Sequence, residues 1–150
     1  MRLAVGTAYS YEKFGWVDRK RVLLVMDADC ALCSKAARFI AEHDPDDTVR
    51  ITTAQGSLGR SLLAHYGMAP DDPESWLLIE KGQAFGSLEA ILMLGRRLHW
   101  AFVVLWPLRA LPRVAQNWLY ARIARNRYAV FGRGDLCALP SDALKRRLVT

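Results

Sequence analysis

Val22-Leu23-Leu24-Val25-Met26 is an unbroken apolar run that ends abruptly at Asp27-Ala28-Asp29. Its lack of alternation suits a short strand buried on both faces. The period then changes. Leu32, Ala36, Phe39 and Ile40 fall on one helical face, with Lys35, Arg38 and Glu42 elsewhere. A buried strand that passes directly into a helix commits the chain to an α/β layout. The next strand should then lie parallel to the first, reached by a right-handed crossover.

The rest of the pattern extends that layout. "DPDD" at 44–47 ends the helix, and Thr48 to Thr53 alternates as a second strand. Ser57 to Tyr66 is helical, with Leu58, Leu62 and Leu63 as its stripe and Gly67 at its end. Trp76 to Ile79 and Gln83 to Gly86 flank a tight Lys81-Gly82 turn and form a hairpin. Ser87 can cap a third helix whose apolar side is Leu88, Ile91, Leu92 and Leu98. The order β-α-β-α-β-β-α is the thioredoxin-like layout, a four-stranded mixed sheet with flanking helices. Residues 1–20 read as an N-terminal arm, 21–98 as the core and 99–150 as a helical C-terminal extension packed on it, within a single domain. In the extension, Pro112 starts a helix with Val114, Trp118, Leu119, Ala121 and Ile123 as its apolar positions, and Ser141 caps a short last helix. Its aromatic residues are expected to pack against the core rather than to stack on nucleic acid bases.

Composition bounds the function. At 150 residues and 52% hydrophobic content, the chain can bury a core of its own. No signal peptide or transmembrane segment is expected, because the start carries Glu12 and Lys13 and Pro107 breaks the longest apolar stretch. These readings point to a soluble, cytoplasmic protein, where three cysteines do not imply a disulfide framework. The net charge of +6 is uneven: residues 1–90 carry 10 basic and 13 acidic side chains, residues 91–150 carry 11 and 2. A solvated basic surface is the simplest account. The sharper readings are an acidic partner, an anionic membrane surface or nucleic acid; of these a weak peripheral interaction with acidic surfaces is kept, and no nucleic acid is expected as a partner.

Three chemistries can begin with "MDADCALC". Asp27-x-Asp29 at a strand end is similar to the motif of haloacid-dehalogenase-like phosphatases, but no later strand clearly ends in a second acidic pair for magnesium. Cys30 and Cys33 have metal-ligand spacing, but the chain has no second paired motif, and His43, His65 and His99 are scattered. A thiol-disulfide switch fits the position. A C-x-x-C at a strand-to-helix junction exposes its first cysteine to free N–H groups and the positive helix end, which favour a thiolate. Cys33 follows one turn later and can close a disulfide. Two buried core cysteines remain the bland alternative.

These residues resemble a known family. "MDADCALC" is similar to the Asp-x-Asp-Cys-x-x-Cys signature of the DCC family, a domain of unknown function described as a predicted thiol-disulfide oxidoreductase. "SWLLIEKGQAFGSLEAILMLGRRL" and "LYARIARNRYAVFG" are similar to its later blocks, so the resemblance covers roughly residues 20–140. It departs at Ala28, where the family usually has Gly. Pro73 also stands too early for the proline that precedes the third strand of thioredoxins. The resemblance implies exchange with protein or low-molecular-weight thiol and disulfide substrates, with no cofactor and no metal. Cys30 attacks and Cys33 resolves. Asp27 is expected to handle protons for Cys33, and Asp29 to cap the helix or temper the thiolate; a cap or turn residue with no role in turnover is the plain account of each. Arg125, Asn126, Arg127 and Tyr128 line one side of the site, with Arg127 and Tyr128 as substrate-binding candidates; a surface salt bridge is the plain account of Arg127. Cys137 is open between packing, a third redox role and a metal ligand. The competing class is a non-catalytic binding or assembly module that works through its basic C-terminal surface.

Overall fold

In the computed structural model, residues 21–68, 76–81, 83–98, 100–134 and 141–149 are described. The 1–20 arm, Asp71 to Pro73, Gly82, Cys137 and the Ser87 cap lie outside what is described. Four strands, β1 (Val22–Met26), β2 (Val49–Thr53), β3 (Leu77–Glu80) and β4 (Gln83–Gly86), form one sheet in the order β2-β1-β3-β4. β1 pairs with β2 in parallel and with β3 antiparallel, and β3 pairs antiparallel with β4. With helices on both faces this is the expected thioredoxin-like mixed sheet, and β1 is central. A parallel α/β phosphatase sheet would not place an antiparallel neighbour beside the Asp-x-Asp strand, so the phosphatase reading loses its scaffold.

Every residue of β1 is buried, because each of its faces meets a different helical layer. Val22, Leu24 and Met26 join Ala37 and Ile40 of α1 (Ala31–His43) and Leu94 of α3 (Ser87–Leu98). Leu23 and Val25 join Leu58, Leu62 and Leu63 of α2 (Ser57–His65). Burial of such aliphatic side chains stabilises by about 1.5–3 kcal/mol each before entropy is counted. The inner face of α1 is Cys33, Ala37, Ile40 and Ala41, which corrects the expected stripe. Leu32 and Ala36 are half-buried, and Phe39 leans outward to stack on His43 with ring centroids 4.0 Å apart. The stripe is rotated because the cysteine itself packs on the sheet.

Beyond α3 a 3-10 segment (Trp100–Ala110) leads into α4 (Arg113–Phe131), and α5 (Asp142–Lys145) closes the chain. Ser141 caps α5 as expected, its hydroxyl accepting from the Leu144 amide at 3.3 Å. The expected core packing of the aromatics is corrected. Trp100 is 78% exposed, Trp118 64% and Val114 82%. α4 turns a different face inward, with Tyr120, Ala124 and Arg127 on the same side. Its orientation is set by an ion pair from Arg127, which an apolar-periodicity argument does not see.

Candidate active site

The end of β1 is held by side chains from three directions. Gln55, just after β2, accepts from the Ala28 amide at 3.1 Å and donates to Asp27 Oδ1 at 2.9 Å. The Asp29 amide donates to the same oxygen at 3.0 Å. The other carboxylate oxygen, Oδ2, accepts from Arg127 Nη2 at 3.3 Å and from the Tyr128 hydroxyl. Asp27 is thus buried and fully engaged. Burial alone would push its carboxyl up, but the bonds from Tyr128, Gln55 and the Asp29 amide, with the charge of Arg127, outweigh it and hold the carboxyl below its ordinary range. Arg127 is buried with it, a pair closed within the fold rather than a surface salt bridge. Tyr128 carries the Arg127 and Arg133 guanidinium groups over its ring at 4.7 and 5.7 Å.

Cys30 is the N-cap of α1, with extended backbone angles. It was expected to be exposed, and it is 0% exposed. The cause is a strap from the C-terminal extension. Gly132 ends α4 at φ 77° and ψ −179°, a region that essentially only glycine occupies. The chain therefore turns back, and Arg133 bridges Cys30 as an antiparallel partner. The Gly134 amide donates to the Asp29 carbonyl at 3.0 Å. A Cβ on Gly134 would stand 2.7 Å from Ala31 Cα, so the strap lies directly on the helix start. Asp29 does not cap α1: no side chain bonds the cap, and Asp29 points outward. Arg125 and Asn126 are also outside the site, exposed and bonded to carbonyls of their own helix.

Cys33 opens on a recess of about 180 Å³ lined by Asp27, Leu32, Trp76, Ile91, Tyr120 and Arg127, among others. The Trp76 indole N–H donates to Cys33 Sγ at 3.1 Å, and the Trp76 amide donates to the Tyr120 hydroxyl at 3.2 Å. Burial, then the charge of neighbouring Cys30, pushes the Cys33 thiol up to about 12. Burial likewise pushes the Tyr120 hydroxyl up to about 12. Both cysteines are unpaired thiols in this state. The site therefore combines a thiol at a helix start, a second thiol held neutral, an ionised carboxylate and an apolar recess. Gln55, Trp76 and Tyr120 were not singled out as site residues by sequence reasoning. A polar amide just after a strand was the only signal for Gln55. Among the described residues no three His, Cys, Asp or Glu side chains are grouped to hold a metal ion.

The family model described as DCC1-like thiol-disulfide oxidoreductase matches residues 24–133. The chain belongs to this family. It is 36% identical over 129 residues to the uncharacterized protein YuxK of Bacillus subtilis, covering 85% of this chain and 93% of that protein. It is 35% identical over 121 residues to a chloroplastic DCC family protein of Arabidopsis thaliana, covering 80% and 70% of the two chains. No solved structure matches. The matched region of this DCC chain begins inside β1 and ends in the strap, so it spans Asp27, both cysteines of the C-x-x-C, Arg127, Tyr128 and Arg133.

Proposed function

We propose that this DCC family chain is a thiol-disulfide oxidoreductase that works through Cys30 and Cys33. The observation that carries the proposal is the placing of two reduced thiols one helical turn apart at the end of a central strand, with Cys33 facing an apolar recess. Cys30 at the helix start attacks a substrate disulfide as thiolate. One sulfur of the substrate joins Cys30 and the other leaves as a thiol. Cys33 then gives up its proton and attacks Cys30 Sγ, the substrate sulfur joined to Cys30 departs and takes up a proton, and a Cys30–Cys33 disulfide remains. The substrate gains two electrons and the enzyme loses two, to be returned by an external dithiol.

Asp27 lines the recess beside Cys33 and is the carboxylate that accepts the proton. Its oxygens are fully engaged and its carboxyl is held low, so it takes the proton only when a donor such as the Tyr128 hydroxyl lets go, and passes it on at once. Attack by Cys30 requires the strap at Gly132 to Gly134 to lift, and the apolar recess suits an apolar side chain flanking the substrate cysteine. Arg127 and Tyr128 hold Asp27 rather than the substrate, and Asp29 faces solvent where incoming substrate arrives. The cytoplasm is the compartment that suits unpaired cysteines.

The non-catalytic binding module is favoured by one observation, the sealed Cys30. Insulin reduction with dithiothreitol separates the two readings. Enzymatic turnover gives a rate above dithiothreitol alone that the Cys30→Ser/Cys33→Ser double variant lacks; equal rates favour the module. The roles of the thiols are read on non-reducing gels from cells. Cys33→Ser should accumulate mixed disulfides and Cys30→Ser none, and the opposite result reverses the roles.

A further inference from the structure

Residues 91–134 contain eight arginines and neither aspartate nor glutamate; Arg127 is buried against Asp27, and Arg97 and Arg109 meet Glu80 and Glu89 from outside the stretch, while Arg96, Arg113, Arg122 and Arg125 are exposed. The same stretch exposes large apolar side chains that a folded chain ordinarily covers. Val104 is 76% exposed, and Val103, Leu105 and Leu111 are exposed as well as Trp100, Val114 and Trp118. None of the residues of the 3-10 segment is buried. The segment is nevertheless held in place. Phe102 seats against Gly95 of α3 and edge-on to Phe39 of α1, with ring centroids 5.9 Å apart. Gln116 of α4 donates to the carbonyls of Arg109 and Leu111 at 3.1 and 2.8 Å, which ties the first turns of α4 to the end of the segment. Arg96 and Arg109 flank the Trp106 ring at 4.6 and 4.9 Å.

We propose that the 3-10 segment and the N-terminal half of α4 form a docking surface for an anionic lipid bilayer. Contiguous exposed apolar side chains mark an interaction site. The chemistry of the patch selects the occupant. A second copy of the chain would bring arginines against arginines, which repel. A nucleic acid strand would use the arginines and tryptophans, but Val103, Val104, Leu105, Leu111 and Val114 offer no ring face on which a base can stack. An anionic bilayer uses both. Aliphatic side chains and tryptophan enter the boundary between headgroups and acyl chains, and arginines meet the lipid phosphates. No helix among the described residues is long and apolar enough to cross a membrane, so the surface lies on the bilayer. This inference does not depend on the redox chemistry, since none of its residues takes part in the proposed exchange.

The experiment is co-sedimentation of the full chain with vesicles of phosphatidylglycerol mixed with phosphatidylcholine, against vesicles of phosphatidylcholine alone. The wild-type protein should sediment with the anionic vesicles and remain in solution with the neutral ones. Arg113→Glu should weaken partition about fivefold or more, following the size of one cation's attraction to an anionic leaflet. Val104→Asp should also release the protein, and its circular dichroism should match wild type because the side chain is exposed. Four results overturn the proposal. The wild-type protein could fail to sediment with anionic vesicles. Val104→Asp could sediment undiminished, which means adsorption by charge alone. The protein could self-associate without vesicles in a Val104-dependent way, which makes a second copy the occupant. Single-stranded RNA could displace the vesicles and bind Val104→Asp as well as wild type, which makes nucleic acid the occupant.

Discussion

Among the described residues, two buried aspartate–arginine pairs tie the C-terminal extension to the core, and they are built differently. Arg147, beyond α5, reaches Asp44 at the end of α1, where its Nη1 meets Oδ2 and its Nη2 donates to the Asp44 carbonyl at 2.9 Å. Asp47 adds a second carboxylate at 3.0 Å from Nη1. Asp44 also accepts from Thr48 Oγ1 at 3.1 Å and from the Val49 amide at 2.9 Å. Arg127 meets Asp27 by one longer contact of 3.3 Å and shares that oxygen with Tyr128. The Asp27 pair faces a recess and a thiol, whereas the Asp44 pair is packed where β2 receives the chain end through the Ile51–Leu148 bridge. Both carboxylates are saturated from several sides, so their surroundings separate them: Asp44 is enclosed by packing and clamps the fold. Asp27 borders a cavity and the Cys33 thiol, which is the setting the proposed proton exchange needs. The difference is open to test.

The largest expected effect is on the clamp. Arg147→Ala leaves Asp44 buried without its cation and should cost about 3–5 kcal/mol of stability. Urea unfolding measures it. Insulin reduction per folded molecule should stay near wild type, because nothing in this clamp meets either cysteine. A variant that unfolds only slightly more easily and yet loses turnover would make the two pairs functionally alike and break the comparison.

Asp27→Asn should have a smaller effect on stability, about 1–3 kcal/mol, since the amide keeps the shape but loses charge-assisted bonds. Its effect on turnover should be the larger of the two pairs, up to about 10²-fold. The pH dependence sharpens this. The Asp27 carboxyl is held below its ordinary value in the fold. Its stabilisation is therefore fully present above the unfolded value of 3.8 and is lost as pH falls through the folded one. The gap in stability between wild type and Asp27→Asn should be full at neutral pH and close in acid. A gap that stays constant through acid would show that the charge of Asp27 contributes nothing to stability.

The two pairs also mark where the sequence stops being readable. β1 announces itself because five apolar residues stand together, and the C-x-x-C gains meaning from the strand before it. The β3–β4 hairpin is visible from its turn and from short flanking runs, with Lys81 at the φ of 51° that a tight reversal needs. Arg127 and Arg147 are not visible as buried residues, because their carboxylates lie 100 and 103 positions away. Periodicity assigns an arginine to the outside, so it makes α4 an ordinary amphipathic helix and turns the exposed Val114 and Trp118 inward. The sealed Cys30 was equally hidden. A helix start is open by default, and only the backbone of Gly132 sends the chain back across it.

The smallest effect separates the hydroxyl of Tyr128 from its ring. Tyr128→Phe removes the bond to Asp27 and the acceptor for Arg127 Nη2 at 3.2 Å. It should cost about 0.5–1.5 kcal/mol. The hydroxyl is the strongest group lowering the Asp27 carboxyl, so its loss should move the acid loss of stability to higher pH. The ring remains, and with it the seat for Arg133 over the strap. Alkylation of Cys30 in the reduced protein should then be as slow as in wild type. Tyr128→Ala removes the seat as well, the strap should open more often, and Cys30 should be modified several-fold faster at equal stability against urea. Stability is matched by comparing the two variants at urea concentrations that leave the same folded fraction. If Tyr128→Phe exposes Cys30 as much as Tyr128→Ala does, the hydroxyl and not the ring holds the strap. Asp27 would then govern access to the nucleophile as well as the proton of Cys33, and the division of labour between Asp27 as a chemical group and Asp44 as a clamp would fail.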